Sequence, residues 1–378
     1  MRIVDAGIIY VNPDPAYSHI SAFYPNVVQL FENELLCVHQ YGDGLYAPNN
    51  TLGVLRSTDG GKTWTNEGEL HDRSKDDRPY SYMASFLSRM SDGTLTVSPF
   101  RIDRSNPRVR LFNDNAGLID NDPILFISRD RGLSWSEPIV QKLPTDMNLT
   151  SAQALIELDD GKWMATFDQW PRFDDTDEYE PRMWCCTSGD GGQTWDQLTV
   201  MADGADEGKG YWHGRTTKLS DGRLFSLLWA ADMTQIDKGP VNLTNHFTIS
   251  DPSGRYWETP TATNLPGQTN CTVQLPDGRL AAIYTCRESS KLGFLVALSN
   301  DLGLTWDLEN QVRVWDASNK TVIGFNSADK YPHSHDTIAF GAPSLITLAN
   351  EELLATWWCT HMSLTHTRWA KLSTEGWL

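Results

Sequence analysis

Short apolar runs separated by turn-forming residues recur along the whole chain. They read NVVQLFENELLCV, SFLSRMSDGTLTV, ALIELDDGKWMAT, TTKLSDGRLFSLL, TVQLPDGRLAAIY and SLITLANEELLAT. Each is an apolar run, a turn and a second apolar run, with turns centred near Asn33, Gly93, Gly161, Gly222, Gly278 and Glu351. Asp-Gly between two β-rich runs is a strong hairpin signal, because such a turn needs residues that tolerate positive φ. Helical periodicity is not evident anywhere. The turns lie 56–73 residues apart, which divides the chain into six units.

A second motif keeps the same rhythm. STDGGKTW (Ser57 to Trp64) returns as SRDRGLSW (Ser128 to Trp135), SGDGGQTW (Ser188 to Trp195) and SNDLGLTW (Ser299 to Trp306). A worn copy, SDPSGRYW (Ser250 to Trp257), has Pro252 where the others have Asp. The octet closes a third β-rich run, so each unit reads as a four-stranded meander. Six such meanders predict an all-β, six-bladed β-propeller, whose radial closure leaves few exposed strand edges. The sixth unit lacks a fourth strand at the C-terminus, and Arg2 to Val11 is expected to fill the gap and close the ring. Although 378 residues would ordinarily suggest two or three domains of roughly 150 residues, the repeat predicts a single domain over 1–378. Asp59, Asp130, Asp190 and Asp301 are read as structural: the carboxylate accepts hydrogen bonds from turn amides, Gly supplies positive φ, and Trp packs between blades.

Composition adds two constraints. With 31 Lys+Arg against 49 Asp+Glu the formal charge is −18, which disfavours broad nucleic-acid binding. No apolar run approaches the roughly 20 residues of a membrane span, and no secretory leader precedes Arg2, so no nucleic-acid or membrane partner and a cytoplasmic location are expected. The six cysteines sit mostly inside apolar runs without a CxxC pair and read as reduced, buried thiols.

Strand direction selects the candidate site. In a meander, the start of the first strand and the end of the second share one face, and the octet lies on the other. After the second strands come His39, Arg101, Asp168 with Trp170, Asp232, Arg287 with Glu288, and His361; before the first strands come Tyr82, His213 with Arg215, and His333, His335 and Asp336. Five of the nine histidines fall in these two classes, and three arginines from different blades converge with carboxylates, a concentration typical of a site. Arg101, Arg104, Arg108 and Arg110 in the loop from Pro99 to Asn121 suggest a rim for an anion, since guanidinium forks bind carboxylate, sulfate or phosphate. Its alternative is a solvated or subunit-contact loop. His333, His335 and Asp336 are suitable metal ligands but lack a strong ligand spacing; no metal or other cofactor is expected.

The octets are Asp-box (BNR) repeats, and with the six-unit count the chain resembles the sialidase (neuraminidase) superfamily over essentially its whole length. The resemblance implies a sialidase-like propeller and a carbohydrate-active enzyme. It also implies three carboxylate-binding arginines, a Tyr nucleophile with a Glu partner, and an Asp acid/base. Arg287, in RLAAIYTCR, matches the second arginine. Phe23, in AFYPNVVQL, stands where the first should be; no Arg lies between Arg313 and Arg368; Ala342 stands at the Tyr position; Thr269 or Asn270 and Trp358 replace the glutamates. A Tyr-nucleophile sialidase is therefore not expected. The first expectation is an exo-acting glycoside hydrolase cleaving a terminal anionic sugar, with carboxylates from Asp168, Asp232 and Glu288. The alternative is a uronate lyase, with Arg215 or Arg287 neutralising the sugar carboxylate and His213, His335, His39 or Tyr82 moving protons. A non-catalytic glycan-binding propeller is the third. Arg101, Arg215, Arg287, His39, Tyr82, Trp170 and His361 are the expected substrate contacts. The expected partner is a carboxylated oligosaccharide or glycoconjugate, with homo-oligomerisation left open.

Overall fold

A computed structural model describes residues 1–114, 116–175, 179–234, 240–287, 291–318 and 338–374. Their strands form six antiparallel sheets around a central channel. Blade one runs Ser21–Phe31, Glu34–Gly42, Thr51–Ser57 and Thr65–Glu69 from the channel outward. Blade five repeats the plan with Asn270–Gln274, Leu280–Cys286, Gly293–Ser299 and Val312–Asp316. Blade six consists of Phe340–Thr347, Leu353–His361 and Leu364–Ser373, and its outer place is taken by the N-terminal strand Arg2–Tyr10. That strand pairs antiparallel with the third, Arg2 opposite Ser373 and Tyr10 opposite Thr367. The ring is closed as the missing fourth strand predicted.

Most of the core lies between blades. Phe294 of blade five meets Trp357 and Phe340 of blade six with ring centroids 5.7 and 5.5 Å apart. Burying a large apolar side chain contributes about 1.5–3 kcal/mol, so such seams hold neighbouring sheets together. Each octet fastens its own turn. Ser57 Oγ donates to Asp59 Oδ1 (2.8 Å), which also accepts from the Thr63 amide (2.9 Å), while Thr63 Oγ1 donates to Oδ2 (2.6 Å). The same bonds recur at Asp130, Asp190 and Asp301. In the worn octet Asp251, one position earlier, accepts from the Ser253 hydroxyl and the Arg255 and Tyr256 amides, replacing the carboxylate that Pro252 cannot supply.

Inner strands have one edge facing the channel, where backbone N–H groups lack a strand partner. Glutamines bridge some of these gaps: Gln29, Gln153 and Gln274 accept from the amides of Ala349, Thr216 and Ser220 in adjoining blades. Toward the site face the inner strands bend. Register shifts fall at Phe23/Asn26, Trp212/Arg215 and Gly341/Ser344, and Tyr24, His213 and Ala342 within them take φ of 49°, 50° and 46°. These bulges turn side chains toward the channel mouth, at about 1–3 kcal/mol for each left-handed non-glycine residue.

Candidate functional site

The bulges surround a cavity of about 110 Å³ at the predicted site face, lined by side chains from all six blades. Its polar wall contains Tyr24, Thr150, Asp168, His213, Arg215 and Arg287. Asp168 lies near the end of the second strand of blade three, Trp163–Trp170, between Thr150 and Met183 on the flanking strands. Its carboxyl is 1% exposed and committed to blade four: Oδ1 accepts the His213 amide at 2.7 Å and Oδ2 faces His213 Nδ1 at 2.8 Å. Against an ionised carboxylate Nδ1 is the donor, which leaves Nε2 as the ring's second functional nitrogen. The imidazole is 31% exposed and lies beside Trp229 and Trp170, with ring centroids 5.8 and 6.5 Å away. A buried carboxylate gripping both amide and ring explains why His213 can hold its left-handed backbone.

Two arginines line the cavity. Arg215 lies with its guanidinium carbon 4.4 Å from the Phe86 ring centroid, and its buried Nε has no partner. Arg287 is 8% exposed; its terminal nitrogens donate to the Gln268 side chain and, at 2.6 Å, to the Phe340 carbonyl, while Nε is unpartnered. A Cβ at Gly341 would approach Arg287 Nη2 to 2.8 Å, so glycine keeps this guanidinium slot open. Neither arginine has a carboxylate ion-pair partner among the described residues. Burial lowers the pKa of both, that of Arg287 to about 10; in Arg215 the fields of Cys271, Asp168 and Tyr24 oppose the shift. Burial raises the Tyr24 pKa, opposed by Arg215 and Arg287 and assisted by Asp168. One phenol, two cations and one His–Asp pair therefore share one small volume.

The chain matches the model of the BNR repeat-like domain over residues 124–335, and that of the BNR/Asp-box repeat over 55–66. The chain belongs to the BNR repeat-like domain family. No curated protein sequence matches it. Among solved structures, a Dyadobacter fermentans protein of unknown function aligns with a TM-score of 0.74 at 16% identity, covering 98% of each chain. A Hadza microbial sialidase aligns at 0.66 and 15%, over 94% of this chain and 66% of that one. A Penicillium chrysogenum alpha-L-arabinanase complexed with arabinobiose aligns at 0.65 and 14%, over the full length of both. At these identities the likeness is one of fold, a BNR propeller.

In this BNR propeller the structure brings together Asp168, Trp170, His213, Arg215 and Arg287 of the expected site residues. It separates five others. His39 is buried at 1% exposure between Tyr10 and Tyr41, and its pKa is pushed down to about 3 by burial. Tyr82 donates its hydroxyl to Asp76 at 3.0 Å, away from the cavity. Arg101 stacks on Tyr80 and donates to Asp122 at 3.0 Å. Asp232 accepts from the amide and hydroxyl of Thr234 in its own turn, and His361 closes the hairpin opposite Leu364. Glu288, His335, His333 and Asp336 lie outside the described residues. Among the described residues no group of three His, Cys, Asp or Glu is placed to hold a metal.

The arginine loop divides: Arg101 and Arg104 find partners inside the protein, whereas Arg108 and Arg110 are exposed. Arg104 turns back to donate to the Pro107 and Val109 carbonyls, and the loop presents Leu111, Phe112 and Leu118 to the cavity instead. With Leu45 and Tyr46 they form an apolar roof, Phe112 lying 5.7 Å from Tyr46 and 5.2 Å from Trp170 between ring centroids. Tyr24 was missed because the family comparison drew attention to Phe23, which packs edge-on against Trp358 at 5.2 Å. The strand-direction rule contained the signal: Tyr24 stands immediately before Pro25 and the first apolar run.

Proposed function

We propose that this BNR propeller is an exo-acting, carbohydrate-cleaving enzyme that takes a terminal carboxylated sugar into the central cavity. The observation that carries this reading is a buried Arg287 and a half-buried Arg215, neither with a carboxylate partner among the described residues, facing a His–Asp pair in one small pocket. Buried guanidinium groups are costly unless an anion meets them, and Arg215 and Arg287 supply the donors that a sugar carboxylate needs. Trp170 and Trp229 offer apolar faces to the ring, and the roof restricts water. Sialidases and an arabinanase among the structural neighbours support a glycan as the ligand class. Glycoside hydrolysis is the first reading: protonated His213, held by Asp168, gives a proton to the oxygen of the breaking glycosidic bond, and the water that adds to the sugar carbon returns its proton to His213.

A second reading, β-elimination, is favoured by one specific feature. Asp168 is the sole carboxylate among the cavity's described lining residues and is already bonded to His213, whereas paired-carboxylate hydrolysis needs two placed groups. In elimination Arg215 and Arg287 would neutralise the carboxylate and His213 would take the proton from the adjacent carbon. A C=C bond then forms as the C–O bond breaks, and Tyr24 is placed to protonate the departing oxygen. The test is a panel of uronate- and sialate-terminated oligosaccharides, followed by absorbance of unsaturated uronate and by release of reducing ends. Reducing ends without absorbance establish hydrolysis; growing absorbance establishes elimination. Absence of turnover, with binding unchanged by His213→Ala, rejects both and leaves a glycan-binding propeller.

A further inference from the structure

The channel does not end at the cavity just described. Below it, toward the octet face, lies a wider chamber of about 570 Å³ walled by the inner strands of all six blades. Arg215 lines both spaces and so stands where they meet. In a chain with 49 Asp+Glu the chamber's described lining residues include no carboxylate, yet they include two arginines, Arg89 and Arg215. Its other polar groups are hydroxyls and amides, among them Gln153 and Thr272. Gln153 is 6% exposed and gives its carbonyl oxygen to the Thr216 amide, which leaves its amide nitrogen as a buried donor without a partner. Arg89 uses one terminal nitrogen on the Gln29 carbonyl at 3.0 Å and remains exposed.

We propose that this chamber binds a small inorganic anion of the chloride class as the counter-ion of Arg215. The physical need comes from Arg215: a half-buried guanidinium whose buried Nε has no partner and which lacks an ion pair is stabilised when an anion approaches. From the cavity side the nearby charge of Asp168 is engaged with His213, and the apolar roof limits access. The chamber is wide and its described lining residues include no Asp or Glu, so an anion meets less repulsion there than at the acidic outer surface. The site requires no chemistry at the sugar pocket and stands whether or not the protein cleaves glycans.

Bromide locates such an ion directly. Crystals grown in bromide should show an anomalous peak in the chamber beside Arg215. In solution, replacing methanesulfonate by chloride at constant ionic strength should raise the melting temperature, because a ligand of the folded state stabilises by mass action. Ala154→Phe, which adds bulk to the chamber lining, should abolish the chloride increment while the protein in methanesulfonate melts as a folded cooperative unit. Arg89→Gln should weaken chloride binding several-fold. A bromide peak confined to the sugar cavity, no peak at all, or an equal chloride increment in Ala154→Phe would each overturn the proposal.

Discussion

Aspartates at the two ends of this propeller show how one residue type comes to do different work. Asp301 on the octet face accepts from Ser299, Thr305 and the Thr305 amide, all within its own turn. Asp168 on the opposite face accepts from His213, 45 residues away in another blade. The first carboxylate is satisfied locally and fastens one turn. The second is satisfied only when two blades dock, and it fixes a group that is itself unfinished, with Nε2 turned to a cavity. A local carboxylate ties the chain to itself, whereas a long-range one can position chemistry.

That contrast can be broken most forcefully at Asp168. If the enzyme reading holds, Asp168→Asn should lower kcat by about 10³-fold or more while the protein remains folded, as loss of a histidine's orienting carboxylate does elsewhere. Turnover together with a melting curve checks this. Arg287→Gln should act chiefly on KM, raising it at least about tenfold, a loss of about 1.4 kcal/mol in carboxylate recognition; steady-state kinetics on carboxylated and carboxyl-reduced substrates measure it. On the other face, Asp301→Ala should lower the melting temperature by a few degrees and leave kcat unchanged.

Acid titration sharpens the comparison further. Hydrogen bonds from the octet Ser and Thr hydroxyls and amides hold Asp130 and Asp190 at a pKa of about 2. Their stabilising contribution is complete above the ordinary carboxylate range and is lost as pH falls through that value. Buried His39 behaves in the same direction at higher pH. Its folded-state pKa of about 3 lies below the ordinary 6.5, so between those values the unfolded chain binds the extra proton and stability rises with pH. Denaturant midpoints should therefore decline from about pH 6.5 downward, before the octet carboxylates titrate. His39→Leu should flatten that first decline, the smallest of these effects.

The fold was legible because its signals are local and repeated. Octets and Asp-Gly turns write each blade into a window of eight to thirteen residues, and strand direction then assigns the faces. The worn octet shows the same logic surviving a substitution, with Asp251 taking the place of the lost carboxylate. The site was legible only in part. Asp168, Trp170, His213, Arg215 and Arg287 followed from strand ends, but the rule counts residues along ideal strands and the inner strands bulge. At Phe23/Asn26 the bulge carries Tyr24 to the cavity and Phe23 into the seam with Trp358. The rim was only partly legible for a different reason: charge was read as exposure, while Arg101 and Arg104 found internal partners, Arg108 and Arg110 are exposed, and the loop's apolar residues became the roof.

Carboxylate recognition by the Arg215–Arg287 pair is the claim on which the functional account depends. It is tested most directly by calorimetric titration of the protein with a uronate-terminated oligosaccharide and with the same compound after reduction of its carboxyl to an alcohol. The account predicts that reduction weakens binding at least about tenfold and that Arg287→Gln removes most of this preference. Equal affinity for the two compounds in the unaltered protein would contradict it.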